Sequence, residues 1–266
     1  MCKKIHYIDL QPKEFVEKIS SFPVAYLPLG TLEWHGLHMP LGADGIQAQG
    51  VFELLAEKYG GIVLPMLFVG PDCMAEANGI EYYGMETHGF EKGKYQYLPG
   101  NNYYIEEDLF AKLLDSIMRN LSRSGFKIVM AHGHGPSTDT FRKHKEEYFE
   151  KYGLITYCLF DLGYTGFDGI QTDHAATNET SITMALKPDL VNLNNLPKDK
   201  IPVSVSGRDP RLYASIEEGK RVIELNVSKI GPKLCEIVNE VREDKAFPEF
   251  HDIKSLIGKG HSSDNN

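Results

Sequence analysis

The sequence predicts an α/β fold in which a mainly parallel sheet is flanked by helices. Short apolar runs alternate with amphipathic stretches along nearly the whole chain, the order expected of repeated strand–helix units. No internal repeat or long low-complexity segment interrupts that alternation. The 266 residues, 42% hydrophobic and 24% charged, have ordinary globular composition. We read residues 1–258 as one domain and 259–266 as a disordered tail, on the polar composition of its GHSSDNN ending.

Val24 to Leu29 reads as a buried strand that ends at Gly30. Asp44 opens a helix to about Tyr59, with Ile46, Val51, Leu54 and Leu55 along its apolar side. A second strand is expected from Ile62 to Val69. The segment from Gly70 to Tyr104 is rich in Gly and Tyr without clear periodicity, and loops of such length usually carry function. Leu109, Leu113, Leu114, Ile117 and Leu121 place a helix over Ile105–Ser124. Phe126 to Ala131 forms a third strand that runs into His132-Gly-His-Gly. Ser137 or Thr138 is placed to cap the next helix, which continues to Lys151. Leu154 to Phe160 is a fourth strand, and Asn178 to Leu186 a helix stopped by Pro188. In the last helix, from near Ser215, Ile223, Val227, Ile230, Leu234, Ile237 and Val241 share one face, and Gly231-Pro232 should kink or break it.

A formal charge of -9 and a pI near 5.6 argue against a nucleic-acid partner and against an anionic membrane surface. Cys2, Cys73, Cys158 and Cys235 are too dispersed for a C-x-x-C motif or a disulfide scaffold. Free thiols, with no apolar stretch near the N-terminus long enough for a signal peptide, lead us to expect a cytoplasmic protein.

Chemistry-bearing residues cluster where strands end. The first strand leads to Glu33-Trp34-His35 and then Asp44; the third leads to His132-Gly133-His134; the fourth leads through a loop to Asp173-His174 and Glu179. Sites of parallel sheets form beyond the carboxyl ends of the strands. Glu33 and His35, two apart, point the same way in extended chain. Carboxylates and imidazoles converging there suit zinc, iron or manganese. The same residues also suit a set of solvated loop side chains, and pattern alone leaves both readings open.

PLGTLEWHGLHMPLGAD resembles the opening signature of the creatininase family, Gly-x-x-Glu-x-His-Gly-x-His-x-Pro-x-x-x-Asp. AHGHGPST is similar to that family's Asn-Gly-His-Gly-Gly-Asn turn, and DHAATNETSITMALKPDLV to its His-Ala-Gly-x-x-Glu-Thr-Ser segment. SGRDPRLYASIEEGK resembles the lead-in to its last helix. The likeness spans about residues 24 to 240 in the right order, and it implies a three-layer α/β/α sandwich that hydrolyses C–N bonds, often of cyclic amides, with divalent metal. By this resemblance Glu33, His35, Asp44 and His134 are metal ligands, with Asp44 placed to bridge two ions. His174 is the catalytic histidine, and Glu179 is an acidic group at the site. One or two ions per chain are expected, zinc first, with manganese or iron as alternatives. Family analogy and the loop tyrosines imply a homo-oligomer, a hexamer, acting on a small-molecule substrate.

Two positions depart from the pattern. Creatinine hydrolases carry a metal-binding Glu two residues after the turn histidine, where this chain has Pro136. Proline offers no donor atom, so a second ion must lose that ligand or take another, such as Glu179 or water. His132 replaces the family's Asn; of an extra ligand and a hydrogen-bonding support, the support role is the one expected of it. The family's creatinine hydrolases hold the planar ring with tryptophans beyond the signature, whereas Trp34, inside it, is this chain's one tryptophan, so the resemblance implies a substrate other than creatinine. Another cyclic amide, a formamide, a cyclic ketone or sugar derivative, or a peptide are alternatives, as is a non-catalytic binding protein on the same scaffold. For the peptide alternative, the discriminating feature is whether the Tyr-rich loop leaves an open groove or a closed pocket.

Overall fold

A computed structural model of the chain describes residues 4–88, 94–200 and 203–243; the expected tail, 259–266, lies outside them. The first helix, α1 (Pro12–Ser21), opens with proline in its first turn and with Glu14 accepting the Gln11 N–H at 2.8 Å. Then follow β1 (Val24–Leu29), α2 (Ala43–Lys58) and β2 (Ile62–Val63). A hairpin of β3 (Met74–Ala77) and β4 (Ile80–Tyr83) precedes α3 (Glu107–Arg123) and β5 (Ile128–Gly133). The second half carries α4 (Gly135–Lys143), α5 (Lys145–Tyr152), β6 (Ile155–Tyr157), α6 (Leu159–Leu162), α7 (Thr177–Leu186), α8 (Pro210–Tyr213) and α9 (Ile216–Glu243).

The main sheet has the order β2-β1-β5-β6, every pair parallel. Alternate residues of its strands feed two cores, as the pleat requires. Val24, Tyr26, Ile128 and Met130 meet α2, α7 and α9 on one face. Ala25, Leu27, Leu29, Val129 and Ala131 meet Ile19 of α1, Phe110, Leu114 and Met118 of α3, and Phe141 and Tyr148 on the other. β1 and β5 are buried on both faces, hence their unbroken apolar runs. The result is the expected three-layer α/β/α sandwich.

Several expectations are corrected. Only Ile62 and Val63 pair as strand; Pro65 has no N–H to give the ladder, although Leu67 rejoins β1 by donating to the Pro28 carbonyl at 3.0 Å. Neither Ser137 nor Thr138 caps a helix. Helix α4 starts at Gly135, and the Ser137 hydroxyl donates instead to the Gly30 carbonyl at 3.1 Å. The helix expected to reach Lys151 is two, with His144 between them. Pro232 does not end α9. Val222, Ile223, Val227 and Ile230 before it, and Leu234 and Val238 after it, stay in one core, and their burial offsets the helical hydrogen bond that proline removes. Cys73, Cys158 and Cys235 are free thiols. Among the described residues no helix is long and apolar enough to cross a membrane.

Candidate metal centre

From the central pair β1 and β5 the sheet extends in opposite directions, to β2 on one side and β6 on the other. The crevice beyond their carboxyl ends is therefore the switch point at which open parallel sheets bind ligands. Leu29 and Gly133 are in register there. Gly133 lies at φ +147°, and a Cβ on it would stand 1.7 Å from the Leu29 carbonyl oxygen, so only glycine permits this approach. It delivers His134 to the end of β1, where the His134 N–H donates to Leu29 at 3.3 Å.

Glu33 and His35 follow β1 on a stretch pinned by the Glu33 N–H to the Leu41 carbonyl at 2.9 Å and the Trp34 N–H to the Asn101 side chain at 2.7 Å. Asp44 stands in the first turn of α2, and Glu179 in that of α7. Asp173 fastens the start of α7 by accepting the N–H groups of Asn178 at 2.7 Å and Glu179 at 3.1 Å. His174 is held through its backbone, which exchanges both hydrogen bonds with Ser206, at 3.0 and 2.8 Å.

These elements converge tightly. Asp44 turns one carboxylate oxygen to each of two histidines: Oδ1 lies 3.2 Å from His35 Nε2, and Oδ2 lies 3.1 Å from His134 Nδ1. Glu33 Oε2 is 3.2 Å from the same His134 nitrogen, and Glu179 Oε2 is 3.6 Å from His35 Nε2. None of these five side chains is more than 6% exposed. Three sets of donor atoms among the described residues lie mutually within 4.8 Å: Glu33–Asp44–His134, His35–Asp44–Glu179 and Glu33–His35–His174. Three buried carboxylates alternating with imidazoles, each reaching a common volume, make a donor set that suits zinc or manganese.

The electrostatics reflect this crowding. Burial works to raise the Glu33 carboxyl, but His134, then His174 and His35, outweigh it and hold the group at about 2. Burial likewise opposes ionisation of Asp44, yet His35 and His134 keep it well below the carboxylate range. Burial disfavours a charged His35, and Asp44, with Glu179 and Glu33, carries the ring up to about 10. His134 is raised well above its usual value by Glu33, Asp44 and Asp72 against the same burial penalty. Glu179 is pushed up, first by burial and then by Asp44 and Asp173, with His35 opposing. Burial, reinforced by His35, depresses His174.

All six residues expected at the site from the sequence, Glu33, His35, Asp44, His134, His174 and Glu179, come together. His174 stacks on His35 at 4.3 Å between ring centroids and places Nε2 3.1 Å from the Trp34 carbonyl. His38 fixes its loop through Thr180 at 2.9 Å. His132 belongs to none of the three donor sets; its ring packs edge-on against Phe160 at 4.5 Å, and burial lowers it to about 4. His88 lines the cavity over the site. Sequence reasoning missed Asp72 and Gln171. The Gln171 amide donates to the Asp44 backbone at 3.1 Å and to its carboxylate at 3.2 Å. Both lie in loops that have no periodicity to reveal them.

A family model described as Creatininase: Creatinine amidohydrolase matches residues 9–230. The creatinine amidohydrolase of Pseudomonas putida is 25% identical over 272 residues, which is 89% of this chain and 98% of that protein. A mycofactocin precursor peptide peptidase of Mycolicibacterium smegmatis is 27% identical over 178 residues, 66% of this chain and 63% of its own. A crystal structure of creatinine amidohydrolase superposes with a TM-score of 0.68 at 20% identity, covering 89% of this chain and 98% of its own. Two further solved creatininases share the fold. One is a mutant of Zn–Zn type, with a TM-score of 0.65 at 21% identity, covering 92% of this chain and 99% of its own. The other is a Mn form, with a TM-score of 0.58 at 23% identity, covering 92% of this chain and 100% of its own.

Proposed function

The chain belongs to the creatininase family of hydrolases, and from that premise we propose a divalent-metal amidohydrolase whose paired centre is shared through Asp44. The observation that carries this reading is the division of the Asp44 carboxylate, Oδ1 toward His35 and Oδ2 toward His134. Glu33, Asp44 and His134 would hold one ion. His35, Asp44 and Glu179 would hold the other, Glu179 standing in for the carboxylate that Pro136 cannot supply. An ion so held would supply Lewis acidity, the chemistry that activates water near neutral pH and polarises a carbonyl.

The remaining work falls to the protein. His174 gives its Nε2–H to the Trp34 carbonyl, which leaves Nδ1 with its lone pair. Burial disfavours the charged ring, so His174 rests neutral and can take a proton and return it to the leaving nitrogen. The test is a screen of cyclic amides, formamides and short peptides with zinc- and manganese-loaded protein. We expect one of these classes to be turned over, the activity to vanish on chelation and to return with metal. Turnover indifferent to chelation would overturn the reading.

Metal uptake should release protons. In the metal-free protein His35 and His134 hold their protons at neutral pH, because both are raised, His35 to about 10. A ligating imidazole must give up that proton, so affinity should climb as pH rises. Calorimetry in buffers of different ionisation enthalpy should find about one proton or more released per ion at pH 7. Uptake without proton release, with affinity flat from about pH 6 to 8, would contradict it.

A specific observation favours substrates with an extended arm, a peptide among them. The cavity over the metal residues has about 350 Å³, and through Asp72, Cys73, Pro136 and Asp139 it adjoins a second of about 750 Å³. Met74, Tyr83, Tyr104 and Ile105 line the larger space, with the Tyr83 and Tyr104 rings stacked at 5.1 Å. The continuity of the two cavities along Tyr83 and Tyr104 supports a substrate longer than the space over the metal residues. Ile105→Trp should lower kcat/KM for long-armed amides about tenfold or more and spare compact ring amides. Equal effects on both classes would count against an extended substrate.

A further inference from the structure

Asp72 lies outside the three donor sets, yet its placement is specific. Its side chain is 5% exposed, and Oδ2 stands 3.1 Å from His134 Nε2, the ring nitrogen that faces away from Glu33 and Asp44. The contact is within ion-pair distance but off the line of a hydrogen bond, and Nε2 is buried with no other partner among the described residues. Its other oxygen, Oδ1, accepts the N–H of Cys73 at 2.5 Å, so the carboxylate is oriented from its own backbone. The opposite wall is shaped to admit it. Gly84, at φ +53°, would carry a Cβ 2.6 Å from Asp72 Oδ2 and 2.7 Å from Glu33 Oε1. Any side chain there would collide with both acids in a backbone region that favours glycine. The Gly84 N–H also donates to the Cys73 carbonyl at 2.9 Å, tying the end of the hairpin to the Asp72 loop.

We propose that Asp72 is a positioning residue for the metal centre: it holds the proton of His134 on Nε2 and so presents Nδ1 as the ligating atom. This rests on the reading of Glu33, Asp44 and His134 as one ion's ligands. A carboxylate behind a metal-bound imidazole fixes the tautomer and ring orientation and raises the basicity of the ligating nitrogen, and losing it typically costs 10–100-fold in metal affinity. With nothing on Nε2 either nitrogen can bear the proton, and half of that choice leaves no lone pair toward Glu33 and Asp44.

The experiment measures zinc affinity by competition with a chromophoric chelator for wild type, Asp72→Asn and Asp72→Ala. Asp72→Asn keeps an acceptor oxygen and the shape while removing the charge. We expect Asp72→Ala to weaken the tighter site about 10–100-fold and Asp72→Asn to fall between it and wild type, with the melting temperature of chelator-treated protein little changed in Asp72→Asn. Long-range ¹H–¹⁵N spectra of the zinc-loaded wild type should show the His134 proton on Nε2. Affinities of both variants within about threefold of wild type, clear of the range expected for losing such a partner, or a wild-type spectrum with the proton on Nδ1, would overturn the role of Asp72 while leaving the metal centre standing. Wild-type protein that takes up no zinc would overturn both.

Discussion

Asp44→Ala should strip the protein of metal and of activity together. Asp44 is the one residue shared by the donor sets Glu33–Asp44–His134 and His35–Asp44–Glu179. Without it each set keeps two donors, fewer than the three protein ligands that a catalytic zinc site ordinarily has. The loss also frees His35 and His134 from the carboxylate that now faces both, and removes one of the two acceptors of the Gln171 amide, the Asp44 backbone carbonyl remaining. Metal content by elemental analysis should fall at least about tenfold, with hydrolysis at background, because the Lewis acid is the largest single contributor to such a reaction. The far-ultraviolet circular dichroism should persist, since the sheet and its two cores do not depend on this carboxylate. A variant that retained full metal content would show that Asp44 bridges nothing.

His174→Gln should separate chemistry from binding. The ring stacks on His35 and hydrogen-bonds the Trp34 carbonyl, and both positions border the metal residues. As the proton carrier, it should cost about two to four powers of ten in kcat when replaced, with metal content nearly intact. One donor set, Glu33–His35–His174, offers a competing role. If His174 is instead a ligand, metal and turnover will fall in step. If it serves only the fold, the melting temperature will drop while turnover per folded molecule survives. Unchanged turnover at full metal occupancy would remove His174 from the chemistry.

The central strands and the first ligands were legible because their determinants are local. The apolar run of β1 and its abrupt end at Gly30, and the polar residues set just beyond, follow from burial on both faces and from the position of the crevice. Apolar spacing located the helices α2, α3 and α9, but Leu54 of α2 and Leu109 of α3, expected on the apolar sides, are exposed. The buried faces run through Ala48, Val51, Phe52 and Leu55 in α2 and Phe110, Leu114, Met118 and Leu121 in α3. Misreadings had two sources, a local breaker given too little weight and tertiary contact that overrides one. Pro65 cuts short a strand that composition favoured, whereas Pro232 fails to end a helix that two flanking apolar stripes hold down. The β3–β4 hairpin had a signal that was missed: Asn78-Gly79, both at positive φ, is the turn chemistry of a two-residue hairpin. Asp72 had none. Its role depends on a loop folding back against His134 from about sixty positions earlier in the chain, and no spacing rule covers that distance. Glu179 lay between these cases. The sequence placed it near the site and the vacancy at Pro136 named it as an alternative donor, but only folding α7 against α2 brings it to His35 and Asp44.

Anomalous diffraction at the zinc edge from crystals of zinc-loaded protein tests the shared centre most directly. We expect two peaks flanking Asp44, one contacted by Glu33 and His134 and the other by His35 and Glu179. No peak at Asp44, or a second ion that leaves Glu179 out of reach, would contradict the paired centre proposed for this chain.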